Sequence, residues 1–323
     1  MQIEFNGEVR NAPDFLIVGA PRCGTSALYT YFSRHPQIFM PSRKEPMFFS
    51  CWRREPFADY RDPPHPIDWT VSDPGVYLEL FDQARPGQII GEASTWYLID
   101  FKHAIPNIHR FYSDLDKDLK IIVMLRNPAE RAWSQHQMQV SERREDLNFK
   151  RALDPDVIAS RRERNFSLTY DYVGTGRYYA QVKAYLEYFP KVKVFVFEEF
   201  FADPRKNLSL LYDFLGVENH IPAGGPVAYN VSGRPKGLVA NAALNLVYTP
   251  NRLKSVIKHF LPLRLRTQLK YRIKKQCLER QSIPDDIRRE ILQNVRSDVH
   301  SLEDLLGRSL SLWYPETQRG DAL

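Results

Sequence analysis

Between Asp14 and His35 the chain passes from an apolar strand pattern, through a glycine-bounded loop, into a helix pattern, and few architectures accept that unit. Asp14-Phe-Leu-Ile-Val18 stops at Gly19 and reads as a buried strand. Thr25 to His35 carries Leu28, Tyr31 and Phe32 at helical spacing, and Pro36 ends it. The connecting loop, Gly19-Ala-Pro-Arg-Cys-Gly-Thr-Ser26, has the G-x-x-x-x-G spacing of a phosphate-binding loop. Successive backbone N–H groups in such a loop cradle an anion, and the helix that follows adds roughly half a positive charge at its N-terminus. A glycine turn that merely lets strand and helix pack closely is the plainer reading; Arg22 inside the loop favours the anion.

The rest of the chain repeats the alternation. Gln88-Ile-Ile-Gly91 and Lys120-Ile-Ile-Val-Met-Leu125 read as further strands, and Val192 to Phe197 as another. Helical patterns fall at about 75–81, 148–164, 176–189, 205–215 and 284–306. Asn127-Pro128 signals a helix start, with Asn127 as cap, Pro128 in the first turn and Glu130 three residues after the cap. The expected fold class is therefore α/β: a P-loop-containing parallel sheet flanked by helices, with a C-terminal helical extension. The stretch from Pro41 to Pro86 is rich in proline and aromatic residues and reads mostly as loop, of the length that lines sites.

The loop departs from that of a nucleoside-triphosphatase. Thr25 stands where a lysine would reach the terminal phosphates, and the third strand ends in Leu125-Arg126 without a magnesium-holding acid. Those departures disfavour a P-loop kinase or NTPase. Arg126, at a strand end just before a capped helix, offers a bidentate fork for phosphate, and Ser134 on that helix offers a hydroxyl. Taken alone, Arg126 and Arg131 read equally well as solvated helix-end charges.

With these segments in view, the chain resembles the sulfotransferases that use 3′-phosphoadenosine-5′-phosphosulfate (PAPS), in their bacterial and glycosaminoglycan-modifying branch. The resemblance runs from about Pro13 to about Gly216 and, more loosely, over Gly307 to Trp313. It implies that Arg22, Cys23, Gly24, Thr25, Ser26 and Ala27 hold the 5′-phosphosulfate, and that Arg126 and Ser134 grip the 3′-phosphate. Arg234 and Lys236, in Asn230-Val-Ser-Gly-Arg-Pro-Lys-Gly237, match a basic loop that closes over the nucleotide. Lys44-Glu-Pro-Met-Phe-Phe49 is similar to the stretch whose glutamate serves as base, which makes Glu45 the base, Lys44 its charge partner or a ligand to donor or acceptor, and Arg22 the stabiliser of the transferring group. PAPS is then the co-substrate, with no metal, and the acceptor a hydroxyl or amine, of a carbohydrate or glycolipid. Gly91-Glu-Ala-Ser-Thr-Trp-Tyr-Leu98 follows the second strand, with Ala93 where several relatives carry lysine; Ser94 and Thr95 are candidate acceptor contacts. Tyr178 matches a position near the acceptor cleft, or is a core tyrosine. His103 and His109, the alternative bases, fit a surface helix better.

The net charge of +6 conceals an asymmetry. Residues 252–280 hold ten Lys or Arg against Glu279 alone, and the remainder is slightly acidic. Apolar stripes at Leu253, Val256, Ile257, Phe260 and at Leu265, Leu269, Ile273 imply two amphipathic helices broken near Pro262. This segment is either a cap on the core or a surface for peripheral contact with a membrane or anionic polymer; a protein acting through it on nucleic acid is the rival class, and no nucleic-acid partner is expected. The expected division is a donor-binding core at 1–235, a basic cap at 236–283 and a returning helix and tail at 284–323. Three scattered cysteines and a start without the build of a signal peptide point to a reducing compartment, the cytosol.

Overall fold

A computed structural model of the chain describes residues 1–55, 57, 67, 70–220, 234–237, 240, 273, 276–279 and 281–314. It opens with a hairpin absent from the sequence reading, β1 (Gln2–Phe5) against β2 (Glu8–Asn11), turned at Asn6-Gly7 with both residues left-handed. Asn-Gly is the pair that tight hairpins demand, and it was the available signal.

The core is a five-stranded sheet of β3 (Phe15–Gly19), β4 (Ile38–Phe39), β5 (Ile89–Ala93), β6 (Lys120–Leu125) and β7 (Val192–Val196). Its order is β4-β5-β3-β6-β7, and every pairing is parallel. All of β3 is buried, as is Ile121 to Leu125, which is why both read as uninterrupted apolar runs. From β3 the chain goes first to the edge at β4, returns inward to β5 beside β3, then crosses to β6 on the other side. That reversal opens a crevice beyond the C-terminal ends of β3 and β6, where open α/β sheets take their ligands.

Helix α1 (Thr25–Ser33) follows β3; the short α2 (Phe48–Cys51) and α3 (Pro74–Glu79) lie in the proline-rich stretch. After β5 come α4 (Trp96–Ile99) and α5 (Phe101–Tyr112), the latter the helix expected around His103 and His109, with Pro106 inside it. Helix α6 (Pro128–Ser141) starts as expected, with Asn127 Oδ1 accepting from the N–H groups of Ala129 and Glu130 at 3.0 and 3.2 Å. The Glu130 side chain does not reach back to the cap; it pairs with Arg288 at 2.7 Å, and Glu198 takes the Asn127 N–H at 3.0 Å.

The helix expected over 148–164 is two, α7 (Phe149–Ala152) and α8 (Pro155–Glu163), because Pro155 disfavours helical backbone at Asp154, which caps the second. Beyond α9 (Tyr179–Tyr188) and β7 lie α10 (Phe197–Ala202) and α11 (Pro204–Leu215). A two-residue pairing joins β8 (Arg234–Pro235) to β9 (Leu278–Glu279), and the C-terminal pattern divides at Val295 into α12 (Asp285–Asn294) and α13 (Arg296–Leu306). No helix among the described residues is long and apolar enough to cross a membrane. The basic stretch at 252–280 lies almost wholly outside the described residues.

Candidate active site

The two predicted anion-binding segments meet. The loop after β3 is tied to β6 by the Ala20 N–H donating to Met124 O at 2.7 Å. Arg22 and Gly24 both adopt left-handed backbone, φ 70° and 86°. Gly24 has a second reason to be glycine: a Cβ there would lie 2.6 Å from Phe201 Cε2. As the cap of α1 it contributes no side-chain acceptor, so the helix presents its first-turn N–H groups at its positive end.

Arg22 Nε donates to Ser134 Oγ at 3.1 Å, and its Nη1 touches Met138 Sδ, one turn further along α6, at 3.3 Å. Arg126 Nη1 donates to the Arg22 carbonyl at 3.3 Å, its guanidinium lies 4.7 Å from the Phe197 ring centre, and Glu130 sits 3.7 Å away. Burial lowers Arg22 to about 10; Glu142 opposes that, Arg126 adds to it and Glu45 opposes it again. The guanidinium remains protonated at neutral pH. Two cations, a hydroxyl and a helix N-terminus thus converge at the end of the central strands, a donor set suited to a ligand with two separated anionic groups.

Behind the corner, Tyr178 is fully buried and donates to the Arg126 carbonyl at 3.0 Å, with Cys23 Sγ 3.8 Å from its hydroxyl. It therefore braces the two loops, and does not line an acceptor cleft. Burial pushes the Cys23 thiol up to about 12, so it stays protonated. Arg131 is equally buried, donating to the Tyr172 carbonyl, and is no solvated helix-end charge. Two contacts absent from the sequence reading complete the brace: Trp313 Nε1 donates to Glu198 Oε2 at 3.1 Å, and its carbonyl accepts from Asn127 Nδ2 at 2.6 Å. Glu198 lies in the first turn of α10, two residues past β7, and its place just beyond a strand C-terminus was the signal to use.

The Glu45 turn lies beside this corner, close enough for its charge to act on Arg22. Lys44 Nζ pairs with Glu45 Oε1 at 2.5 Å, so the lysine does balance the carboxylate. Glu45 and Met47 both have φ 58°. The turn is held by hydrogen bonds from Glu45 N to Ala93 O (3.0 Å), Met47 N to Ser94 Oγ (3.0 Å) and Phe49 N to Tyr97 Oη (3.4 Å). Ser94 is fully buried and engaged in holding the turn, and Thr95 is buried too, so both belong to the wall instead of the acceptor surface.

Next to them Glu92, to which the sequence assigned no role, is fully buried in β5. Burial raises its carboxyl to about 7, against the pull of Ser94, Tyr97 and Tyr77 and with help from the Glu45 charge. An acid within the apolar Ile89-Ile-Gly-Glu-Ala93 strand was the clue. His103 and His109 lie on α5: the first contacts the Trp52 carbonyl at 3.0 Å, and the second stacks on Phe189 at 4.9 Å. Both are half-buried on this helix, in keeping with the helix placement expected.

β8 packs against α6, Lys236 is exposed, and the Arg234 side chain lies outside what is described.

Residues 12–223 match the family described as Sulfotransferase domain. The chain is 28% identical over 218 residues to heparan sulfate glucosamine 3-O-sulfotransferase 6 of Homo sapiens, covering 65% of this chain and 54% of that one. It is 30% identical over 138 residues to membrane-associated sulfotransferase kil1 of Dictyostelium discoideum, covering 43% and 25%. The chain thus spans about half, or less, of the length of these curated relatives. A solved sulfotransferase from Alicyclobacillus acidocaldarius superposes with a TM-score of 0.67 at 29% identity, covering 94% of this chain and 99% of that one. A modified phosphate loop meeting an Arg–Ser pair on the neighbouring strand and helix, together with a match over most of the sheet, places this chain in the sulfotransferase family.

Proposed function

We propose that the protein transfers a sulfuryl group from PAPS to a hydroxyl or amine of a carbohydrate or glycolipid. The observation that carries this reading is the junction of Arg22 with Ser134 and of Arg126 with the Arg22 carbonyl, across more than a hundred residues of sequence. PAPS carries two anionic groups, the 5′-phosphosulfate and the 3′-phosphate, and the corner offers a place for each. The loop N–H groups and Arg22 take the first; Arg126 and Ser134 take the second.

Glu45 accepts the proton of the acceptor O–H or N–H as that atom attacks sulfur. The S–O bond to the 5′-phosphate breaks, and the phosphate departs with the electron pair. Charge spread over the transferring group is stabilised by Arg22 and the helix terminus, so catalysis is mainly positioning and electrostatics. The reading asks for no metal ion. The names of several relatives, heparan sulfate and carbohydrate sulfotransferases, support a sugar acceptor. The buried free thiols Cys23 and Cys51 support a cytosolic setting. The basic stretch at 252–280 is the surface proposed for membrane or anionic-polymer contact.

The test is thermal shift with 3′-phosphoadenosine-5′-phosphate (PAP) against ATP plus magnesium, followed by a carbohydrate acceptor screen with labelled PAPS read by mass spectrometry. Stabilisation by PAP and label on a sugar are expected; stabilisation by ATP–magnesium alone overturns the reading.

A further inference from the structure

The turn that carries Glu45 contains two non-glycine residues in left-handed backbone, a conformation that L side chains resist, so something must hold it. Its three backbone N–H bonds run to Ala93, Ser94 and Tyr97 in order. The third acceptor is a phenol oxygen, whose O–H turns, and its lone pairs with it, unless a partner claims the proton. Glu92 claims it: Tyr97 Oη donates to Glu92 Oε2 at 2.7 Å, and Tyr77 Oη donates to the same oxygen at 3.3 Å. Tyr77 in turn stacks on Phe48, within the segment being held, at 4.2 Å between ring centres.

We infer that Glu92 is a positioning residue for the base: by fixing the Tyr97 and Tyr77 phenols it sets the 45–49 turn and hence the place of the Glu45 carboxylate. The role of Glu45 rests on the sulfotransferase reading; the support of the turn does not. Both of its tyrosine donors meet one oxygen, while Oε1 is buried without a hydrogen-bond partner among the described residues. Burial raises the carboxyl to about 7, so at and below neutral pH a large share of the molecules carry it protonated. The titratable groups around it among the described residues are Tyr77 from α3, Tyr97 from α4, Tyr112 from α5, Tyr185 from α9 and Glu45 from the turn, and none of these is a cation. A neutral Glu92 leaves Glu45 as the single anion of the pair, the state a base requires.

The discriminating variants are E92Q, which keeps a neutral acceptor for both phenols, E92A, which removes it, and Y97F, which deletes only a hydroxyl. Amide hydrogen exchange over 45–49 needs no acceptor substrate and decides the structural claim. Exchange about tenfold faster in E92A and Y97F, with E92Q near wild type, is expected. With an acceptor in hand, E92A and Y97F lose roughly 10- to 100-fold in kcat at unchanged KM for PAPS, and E92Q restores most of it. PAP-induced stabilisation stays the same in all three. Unchanged exchange in Y97F, or E92Q as damaged as E92A, overturns the inference. A wild-type protein that ignores PAP overturns the sulfotransferase reading instead, and the exchange result still stands.

Discussion

The donor corner and the base turn adjoin each other yet are built on opposite plans. At the corner, side chains do the holding, and they arrive from far apart: Arg22 and Ser134, Arg126, Tyr178, Glu198 and Trp313. At the turn, backbone N–H groups do the holding, and their acceptors all come from Ala93, Ser94 and Tyr97. On the proposed function, the difference follows from what each region serves. A nucleotide with two anionic groups needs several cations brought together from separate segments. A base needs one carboxylate in one place, which a hydrogen-bonded turn supplies with little added charge. Changes in charge should therefore damage donor affinity, whereas changes in hydroxyl groups behind the turn should damage turnover.

The largest effect should come from removing the base itself. E45Q is expected to lower kcat by roughly 10²- to 10⁴-fold with PAP affinity unchanged by calorimetry; a parallel loss of PAP affinity would merge the two regions into one.

Glu92 should show itself in stability against pH. Its carboxyl lies at about 7 in the fold and ordinarily at 4.5, so between those values the native state keeps a proton that the unfolded state has lost. Stability then falls as pH rises through that window, by up to about 3 kcal/mol, and E92Q removes the slope. Thermal unfolding of both proteins at pH 5 and pH 8 would show the gap in Tm opening toward alkaline pH; a constant gap would contradict a buried neutral acid.

At the corner, R126A should weaken PAP about 10- to 100-fold while leaving adenosine 5′-phosphate, which lacks the 3′-phosphate, little affected. Equal losses for the two ligands would place Arg126 elsewhere on the nucleotide. S134A removes a single hydroxyl and should cost about 1 kcal/mol of PAP binding, measurable by calorimetry as a severalfold rise in Kd.

Features written into short stretches were legible. The strand–loop–helix unit, the Asn127-Pro128 helix start and the β6 run each carry their signal within one short continuous stretch, and the structure places all three as expected. What escaped was settled by partners distant in the chain. Ser94 and Tyr178 look like site residues because they stand next to site motifs, but packing turns both inward. Glu130 matches a capping-box spacing, yet Arg288 claims it, 158 residues later in the sequence numbering. Glu92 and Glu198 went unassigned because a carboxylate's role depends on which donors reach it: tyrosines from two helices in one case, a tryptophan and a backbone N–H in the other. The division at Val295 has no proline or glycine to mark it.

The Trp313 brace bears on how the protein is made. Its carbonyl meets Asn127 Nδ2 across 186 residues, so this outer tie on the α6 cap residue, unlike the local Oδ1 cap itself, must wait for that tryptophan to leave the ribosome. The base turn, whose partners all lie between 45 and 97, can form long before. A nascent chain would thus shape the proposed proton acceptor before Trp313 is made, and complete the brace behind the nucleotide site only after it.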